Sequence, residues 1–396
     1  MTTLLTYLKT NKLPKKSEIL LALTPITVFI TPIIIAFYDE KILELPYWIL
    51  IPISILYMAL FFTGLYNLVH RVFTAPFSIV EFILSRFEKG RERLKTFKKR
   101  REKVKFSNSR RKFISASAAV VSGYVFVGTG AAVMNKDNYE IVYKNIKINN
   151  LPLELRGTTI TLISDIHSGP YMNLETLQDY CSVINSLKSD IIIIPGDMTS
   201  SDKSEIKPFV KAFRELKAEH GIYATLGNHD YLSQPDYISD AITMDTPIKM
   251  MRNDALTIEK NGEKLMLLGL EDTKESMVED REELNGYLDK TIEKAQYGYD
   301  NYQNMTKILL CHKPYYFKDM SKKGMDFILS GHTHGGQVVL AKFGDFNLSL
   351  ASTVSDYVSG LYKENGSQMY VSRGLGSSSI PLRLNCPPEI TKLTLV

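Results

Sequence analysis

Apolar and polar positions change their pattern near residue 136. Ahead of it the apolar residues fall in long uncharged stretches, residues 19–38, 45–69 and 113–135. Beyond it they fall in short runs bounded by polar segments. Residues 158–164, 191–195 and 222–226 read as strands, the second of them fully buried, and the spacing of apolar positions over 174–187 and 206–216 predicts helices. Strands alternating with helices predict an α/β domain over residues 136–396, with a largely parallel sheet and helices outside it. Further apolar runs at 265–270, 307–311, 327–330, 369–372 and 390–395 supply strands enough for two packed sheets.

The first two long stretches each match the about 20 helical residues that cross a hydrocarbon core. A short charged loop at 39–44 separates them, so residues 1–70 are predicted to form a transmembrane hairpin; the alternative is a buried hairpin of a soluble domain. Pro25 and Pro32 fit a membrane span, where neighbouring helices re-satisfy the backbone groups a proline frees. The third stretch is rich in Ala, Ser, Gly and Val. The segment before it, Ser109-Arg110-Arg111-Lys112-Phe113-Ile114, resembles a twin-arginine export signal, although such signals usually stand at the N-terminus. Residues 113–135 are therefore either a third span or a signal-like segment, with cleavage near Thr129-Gly130-Ala131 as a further alternative.

Charge orients this arrangement. Residues 71–112 carry fifteen Lys and Arg against four Glu, which places that loop in the cytoplasm, and Lys9, Lys12, Lys15 and Lys16 place the N-terminus there too. A third span then puts residues 136–396 on the extracytoplasmic side of a plasma (inner) membrane. Anionic lipid headgroups are the expected partner of the basic loop; nucleic acid and plain solvation are the alternatives. Residues 1–134 have a net charge of +12 and residues 136–396 of −7. An acidic domain is a poor grip for a phosphate backbone, which counts against a nuclease. Cys181, Cys311 and Cys386, odd in number and widely spaced, suggest no disulfide framework.

The chemistry lies at the ends of the short apolar runs, where open α/β sheets place their ligands. Asp165-Ile166-His167, Gly196-Asp197, Gly227-Asn228-His229-Asp230, His312 and Gly331-His332-Thr333-His334-Gly335-Gly336 hold five of the seven histidines. Asp165 and His167, two apart at a strand end, would point to one side and bind one cation. Asp197 can bridge two metals about 3.5 to 4 Å apart. The amide oxygen of Asn228 is a hard ligand, and His229 is suited to donate a proton or hydrogen bond to a phosphoryl oxygen. Singly, each cluster has an ordinary structural reading: a turn for Gly-Asp, a core histidine for His312. All of them in one domain point to metal-assisted phosphoester hydrolysis.

The order Asp-x-His, Gly-Asp, Gly-Asn-His-Asp, His, Gly-His-x-His resembles that of the calcineurin-like metallophosphoesterase superfamily, over residues from about 150 to 396. The form Gly-His-Thr-His-Gly-Gly-Gln ending at Gln337, and the tail from Tyr370 to Gly376 with Pro387-Pro388-Glu389-Ile390, are similar to its membrane-linked branch. That branch includes twin-arginine-exported phosphoesterases and UDP-2,3-diacylglucosamine pyrophosphatases. The resemblance implies an α/β/β/α sandwich of two mixed sheets between helices. It implies two divalent ions, one held by Asp165, His167, Asp197 and His334, the other by Asp197, Asn228, His312 and His332, with His229 catalytic. Mn, Fe or Zn fits such a mixed donor set.

Many members read Gly-Asp-x-x-Asp where this chain has Gly196-Asp197-Met198-Thr199-Ser200. The partner of His229 is then expected to be Asp230 or Asp202, and Asp230 joins His229 as a catalytic candidate. The expected substrate is a membrane lipid or lipid-linked phosphoester, UDP-2,3-diacylglucosamine among them. That compound is made in the cytoplasm, whereas the charge pattern puts the domain outside. A non-catalytic metal-binding module on the same fold is the reading from another class; such a module would have lost ligands, and here every ligand position is filled.

Overall fold

A computed structural model describes residues 80–103, 138–272, 281–339, 341–343, 346–349, 351–378 and 382–396. The expected spans at 19–38, 45–69 and 113–135 lie outside these residues, as do the N-terminal lysines and the paired arginines. Among the described residues no helix is long and apolar enough to cross a membrane. The chain divides into two compact units, residues 1–131 and 132–396. Of the basic loop in the first, helix α1 (Glu88–Lys103) is described.

The second unit holds two six-stranded sheets. In the first, the order is β1 (Glu140–Ile146), β14 (Glu389–Leu395), β2 (Thr159–Leu162), β3 (Ile191–Pro195), β4 (Ile222–Thr225), β5 (Ile248–Met250). In the second it is β12 (Gly360–Glu364), β13 (Ser367–Val371), β9 (Phe327–Ser330), β8 (Thr306–Leu310), β7 (Glu263–Gly269), β6 (Asp254–Lys260). Strands β2 to β5 run parallel, as do β13, β9, β8 and β7. Both sheets are nonetheless mixed, because β14 pairs antiparallel with β2, and the edge strands β6 and β12 pair antiparallel with β7 and β13. A small hairpin, β10 (Ala341–Phe343) and β11 (Phe346–Leu348), stands apart.

The alternation of side chains along a strand explains the four layers. In β3 all five residues are buried. Ile192 and Ile194 pack with helices α2 (Leu174–Ser186) and α3 (Ile206–Phe213), while Ile191 and Ile193 face the second sheet. Strand β8 does the same from the other side: Ile308 and Leu310 meet the first sheet, and Leu309 packs outward towards α6 (Arg281–Gly298) and α7 (Phe317–Lys322). Strands covered on both faces read as unbroken apolar runs. Helix α2 buries Leu177, Tyr180, Cys181 and Ile184, one face at helical spacing, and Asn173 caps its start by accepting from the Thr176 N–H. The three cysteines are free and buried.

This layering brings the C-terminal ends of β2, β3, β4, β8 and β9 to a common edge. The His312 imidazole, just past β8, donates through Nδ1 to the carbonyl of Pro195 at the end of β3, at 2.7 Å. One bond thus ties the two sheets together where the donor side chains gather.

Candidate metal centre

The donors converge by a route other than the one expected. Asp165 and His167 do not project from an extended strand: β2 ends at Leu162, and both residues adopt left-handed backbone angles, φ 47° each. Asp197, His332 and His334 do likewise, at φ 56°, 71° and 51°. Non-glycine residues held there cost about 1–3 kcal/mol each and persist only where the surroundings over-determine them. Backbone hydrogen bonds supply that constraint. Asp165 N–H donates to Gly196 O, and Ile166 and His167 both donate to Asp197 O. Close approach at Gly227 completes the packing, because a Cβ there would collide with the Asp197 carboxylate.

Two donor groups result. In the first, His167 Nε2 lies 3.0 Å from His334 Nε2, and His334 Nε2 lies 3.6 Å from Asp165 Oδ1. In the second, Asp197 Oδ2 lies 3.2 Å from His312 Nε2, while His332 Nδ1 lies 3.3 Å from that same nitrogen and 2.9 Å from Asn228 Oδ1. Asp197 Oδ2 is also 3.5 Å from His167 Nε2, so it stands in both groups. All seven expected ligands are therefore brought together, and six of them form buried or half-buried triads whose ligand atoms lie within 4.8 Å of one another.

Electrostatics suits cations here. Burial pulls His167 down to about 3, and burial first, neighbouring charges second, holds His332 and His334 well below the usual imidazole range. These rings are neutral, so two imidazole nitrogens facing each other at 3.0 Å share at most one proton and lack an electrophile. Burial pushes Asp165 up to about 6. Burial pushes Asp197 the same way, but His312, by its charge and its hydrogen bond, outweighs burial and holds it well below the carboxylate range. Conversely Asp197 raises His312 to about 10 against the pull of burial. A donor set of imidazole, carboxylate and amide oxygen fits borderline first-row divalent ions.

Residues 158–336 match the family model of calcineurin-like phosphoesterases. Over this stretch the chain is similar to that family. A transmembrane protein with metallophosphoesterase domain from Danio rerio is 30% identical over 65% of this chain and 57% of its own length. The Bos taurus protein of that name is 28% identical over 63% of this chain and 55% of its own. An uncharacterized metallophosphoesterase of Bacillus subtilis is 28% identical over 70% of this chain and 93% of its own. The chain thus spans little more than half the length of the two vertebrate relatives. The matched residues carry the whole set of expected ligands.

The other candidates fall differently. His229 stands half-buried beside the centre, its ring edge-on to His167 at 4.6 Å between centroids, and its backbone N–H donates to Asp197 Oδ1 at 2.9 Å. Its expected carboxylate partner is corrected by the structure: Nδ1 donates to the backbone carbonyl of Ser200. Asp202 is exposed and instead accepts from the Ser204 N–H at 2.7 Å. Asp230 is fully buried. Its carboxylate accepts from Gly227 N–H at 2.9 Å, Thr199 N–H at 2.9 Å, Thr199 Oγ1 at 3.0 Å and Met198 N–H at 3.3 Å. A carboxyl so occupied locks two loops together, and its hydrogen bonds go to Gly227, Met198 and Thr199 rather than to His229.

The tail similarity also resolves into structure. Arg373 is paired with Glu389 and, at 2.8 Å, with Glu140, while Tyr370 donates to Glu389 at 2.7 Å, tying β13 to β14 and β1. Arg383, buried, binds the carbonyls of Arg373 and Gly376 and brings its guanidinium 3.4 Å from His334 Nδ1. Tyr370, Arg373 and Glu389 fall within the tail motif, whereas Arg383 had no periodic or motif signal in the sequence.

Proposed function

We propose that this chain is a membrane-anchored, metal-dependent phosphoester hydrolase acting on a lipid-linked or envelope phosphoester. The observation that carries the hydrolase reading is the convergence of four histidines, two aspartates and Asn228 on two groups sharing Asp197. Divalent cations held by these residues would make water acidic enough to attack phosphorus at neutral pH and would neutralise phosphoryl charge. Asp165 and Asp197 supply negative charge for that purpose. His229, held at the rim through Nδ1, presents its other nitrogen for proton donation to the ester oxygen that leaves.

Anchoring is supported by the uncharged stretches at 19–38, 45–69 and 113–135 and by the name of the vertebrate relatives. UDP-2,3-diacylglucosamine belongs to the class proposed if the domain faces the cytoplasm, and a periplasmic lipid phosphoester if it faces outward. Protease protection in intact cells separates the two.

The decisive experiment is hydrolysis of bis-p-nitrophenyl phosphate by the full chain in detergent, stripped of metal and resupplied with Mn, Zn or Fe. Activity returns with metal in the wild type, and Asp197→Ala loses at least about 1000-fold, since it takes a ligand from both groups. No activity with any metal in a folded protein would support a non-catalytic module.

A further inference from the structure

His229 is aimed by a carbonyl, and something must aim the carbonyl. The loop that carries it, residues 197–202, is anchored at its start by Asp230. At its end stands Glu205. One Glu205 carboxylate oxygen accepts the backbone N–H groups of Ser200 at 2.8 Å, Ser201 at 2.8 Å and Asp202 at 3.1 Å. Three successive amides on one anion form a nest. A trans peptide is planar, with its N–H and C=O pointing opposite ways. Clamping the Ser201 N–H on Glu205 therefore turns the Ser200 carbonyl, in the same peptide unit, away from Glu205 and towards His229, whose Nδ1 donates to it. The segment is further tied to the first donor group, since Ser168 Oγ donates to Glu205 O at 2.7 Å and Ser200 Oγ to His167 O at 3.3 Å.

We propose that Glu205 is a positioning residue for His229, doing through one rigid peptide what the second aspartate does in chains that read Gly-Asp-x-x-Asp. The proposal rests on the phosphoesterase reading. In the reaction, a water gives one proton to solvent as its oxygen bonds to phosphorus, and the P–O ester bond breaks. Its electron pair goes to the leaving oxygen, which takes a proton from His229 Nε2. With Nδ1 held on Ser200 O, that second nitrogen has one direction. If Glu205 is lost, the peptide is free to turn and the proton is no longer delivered in line.

The consequence depends on the leaving group. p-Nitrophenolate departs without a proton, whereas phenolate, a poorer leaving group, depends on one. General acid catalysis contributes about 100- to 10 000-fold, so a misaligned acid gives up on the order of 10- to 100-fold of it. In the metal-loaded full chain, Glu205→Ala is expected to lower kcat for diphenyl phosphate by about 30-fold and for bis-p-nitrophenyl phosphate by less than about 3-fold. KM and metal content stay unchanged. Glu205→Gln, which keeps an acceptor oxygen but loses the charge, recovers part of the difference and serves if the alanine variant does not fold. In a His229→Asn background, Glu205→Ala leaves the ratio of the two rates where it was. Equal losses on both substrates, or a further change of ratio without His229, would overturn the proposal and make Glu205 a plain loop staple. A wild type inactive on both substrates with every metal would overturn the phosphoesterase reading, and this inference with it.

Discussion

The two donor groups that meet at Asp197 are held from behind in different ways. In the second, His312 donates its outer N–H to the Pro195 carbonyl at 2.7 Å, which fixes the ring and leaves Nε2 turned inward. Next to it Lys313 and Asp272 form a fully buried pair at 2.9 Å. In the first group, the outer nitrogen of His167 is buried and makes no hydrogen bond among the described residues, and the outer nitrogen of His334 faces the guanidinium of Arg383 at 3.4 Å. An arginine only donates. If His334 binds a cation through Nε2, its Nδ1 carries the proton, so two donors and a buried positive charge face each other. A supporting hydrogen bond on a ligating histidine is typically worth about 10- to 100-fold in metal affinity. On these hydrogen bonds the second group is expected to be the tighter of the two and the first to empty before it.

The largest test of this asymmetry removes one histidine from each side. His334→Ala is expected to leave a protein that retains one tightly bound metal per chain after dialysis. His312→Ala leaves only the weaker group and is expected to lose both, because a lost ligand costs more than the about 10- to 100-fold of a lost supporting bond. Elemental analysis of the dialysed proteins decides. One metal retained in both variants would show the groups to be equal, and the argument from outer hydrogen bonds would fail.

Acidity separates the two carboxyls more gently. Burial pushes Asp165 up to about 6, while for Asp197 burial is outweighed by His312, which holds it well below the carboxylate range. A carboxylate must be ionised to ligate, so protons compete for Asp165 as pH falls through about 6, while Asp197 stays ionised. Protons compete for His312 in the second group as well, so metal content and the activity that follows it are expected to fall between pH 7 and pH 5. Metal content unchanged over that range would contradict the buried environments of these groups.

These contrasts also mark what was legible beforehand. The strand at 191–195 and those near 158, 222, 307 and 390 stood out because both of their faces are buried, which gives unbroken apolar runs. Edge strands β1 and β12, with most residues exposed or half-exposed, carried no such signal. Helix α6 buries only Leu284, Leu288, Thr291 and Ala295 along eighteen residues, too thin a stripe to stand out. The gathering of the ligand side chains was legible because so many imidazoles and carboxylates fall at strand ends of one domain, although each alone has an ordinary reading. Their backbone was not, since no residue pattern announces that Asp165, His167, Asp197, His332 and His334 are all left-handed. The partner of His229 was missed because a carbonyl has no residue type, although Asp202-Lys203-Ser204-Glu205 does spell a capping box, and the structure forms it.

The finest test concerns why the second group is stiff. Asn228 lies on the turn that Asp230 locks, and Asp230 holds Gly227, Met198 and Thr199 through their N–H groups. In Asp230→Asn one oxygen remains to accept, but an amide NH2 is set against backbone donors, at a cost of about 1–3 kcal/mol. The variant is expected to unfold at a lower temperature, to keep turnover within a few-fold at saturating metal, and to bind its tighter metal a few-fold more weakly with the weaker one unchanged. The pH dependence has a definite sign: burial, then Asp197, pushes the Asp230 carboxyl up to about 6, above its unfolded value. Its protonation therefore favours the folded state at low pH, and that contribution fades as pH rises through about 6. The stability gap between wild type and Asp230→Asn, measured by thermal unfolding at pH 5 and pH 8, separates the two parts of its role. A gap that persists at pH 8 belongs to the N–H groups the ionised carboxylate accepts, whereas one confined to pH 5 belongs to its proton. A large loss of turnover with both metals bound would instead return Asp230 to the reaction itself.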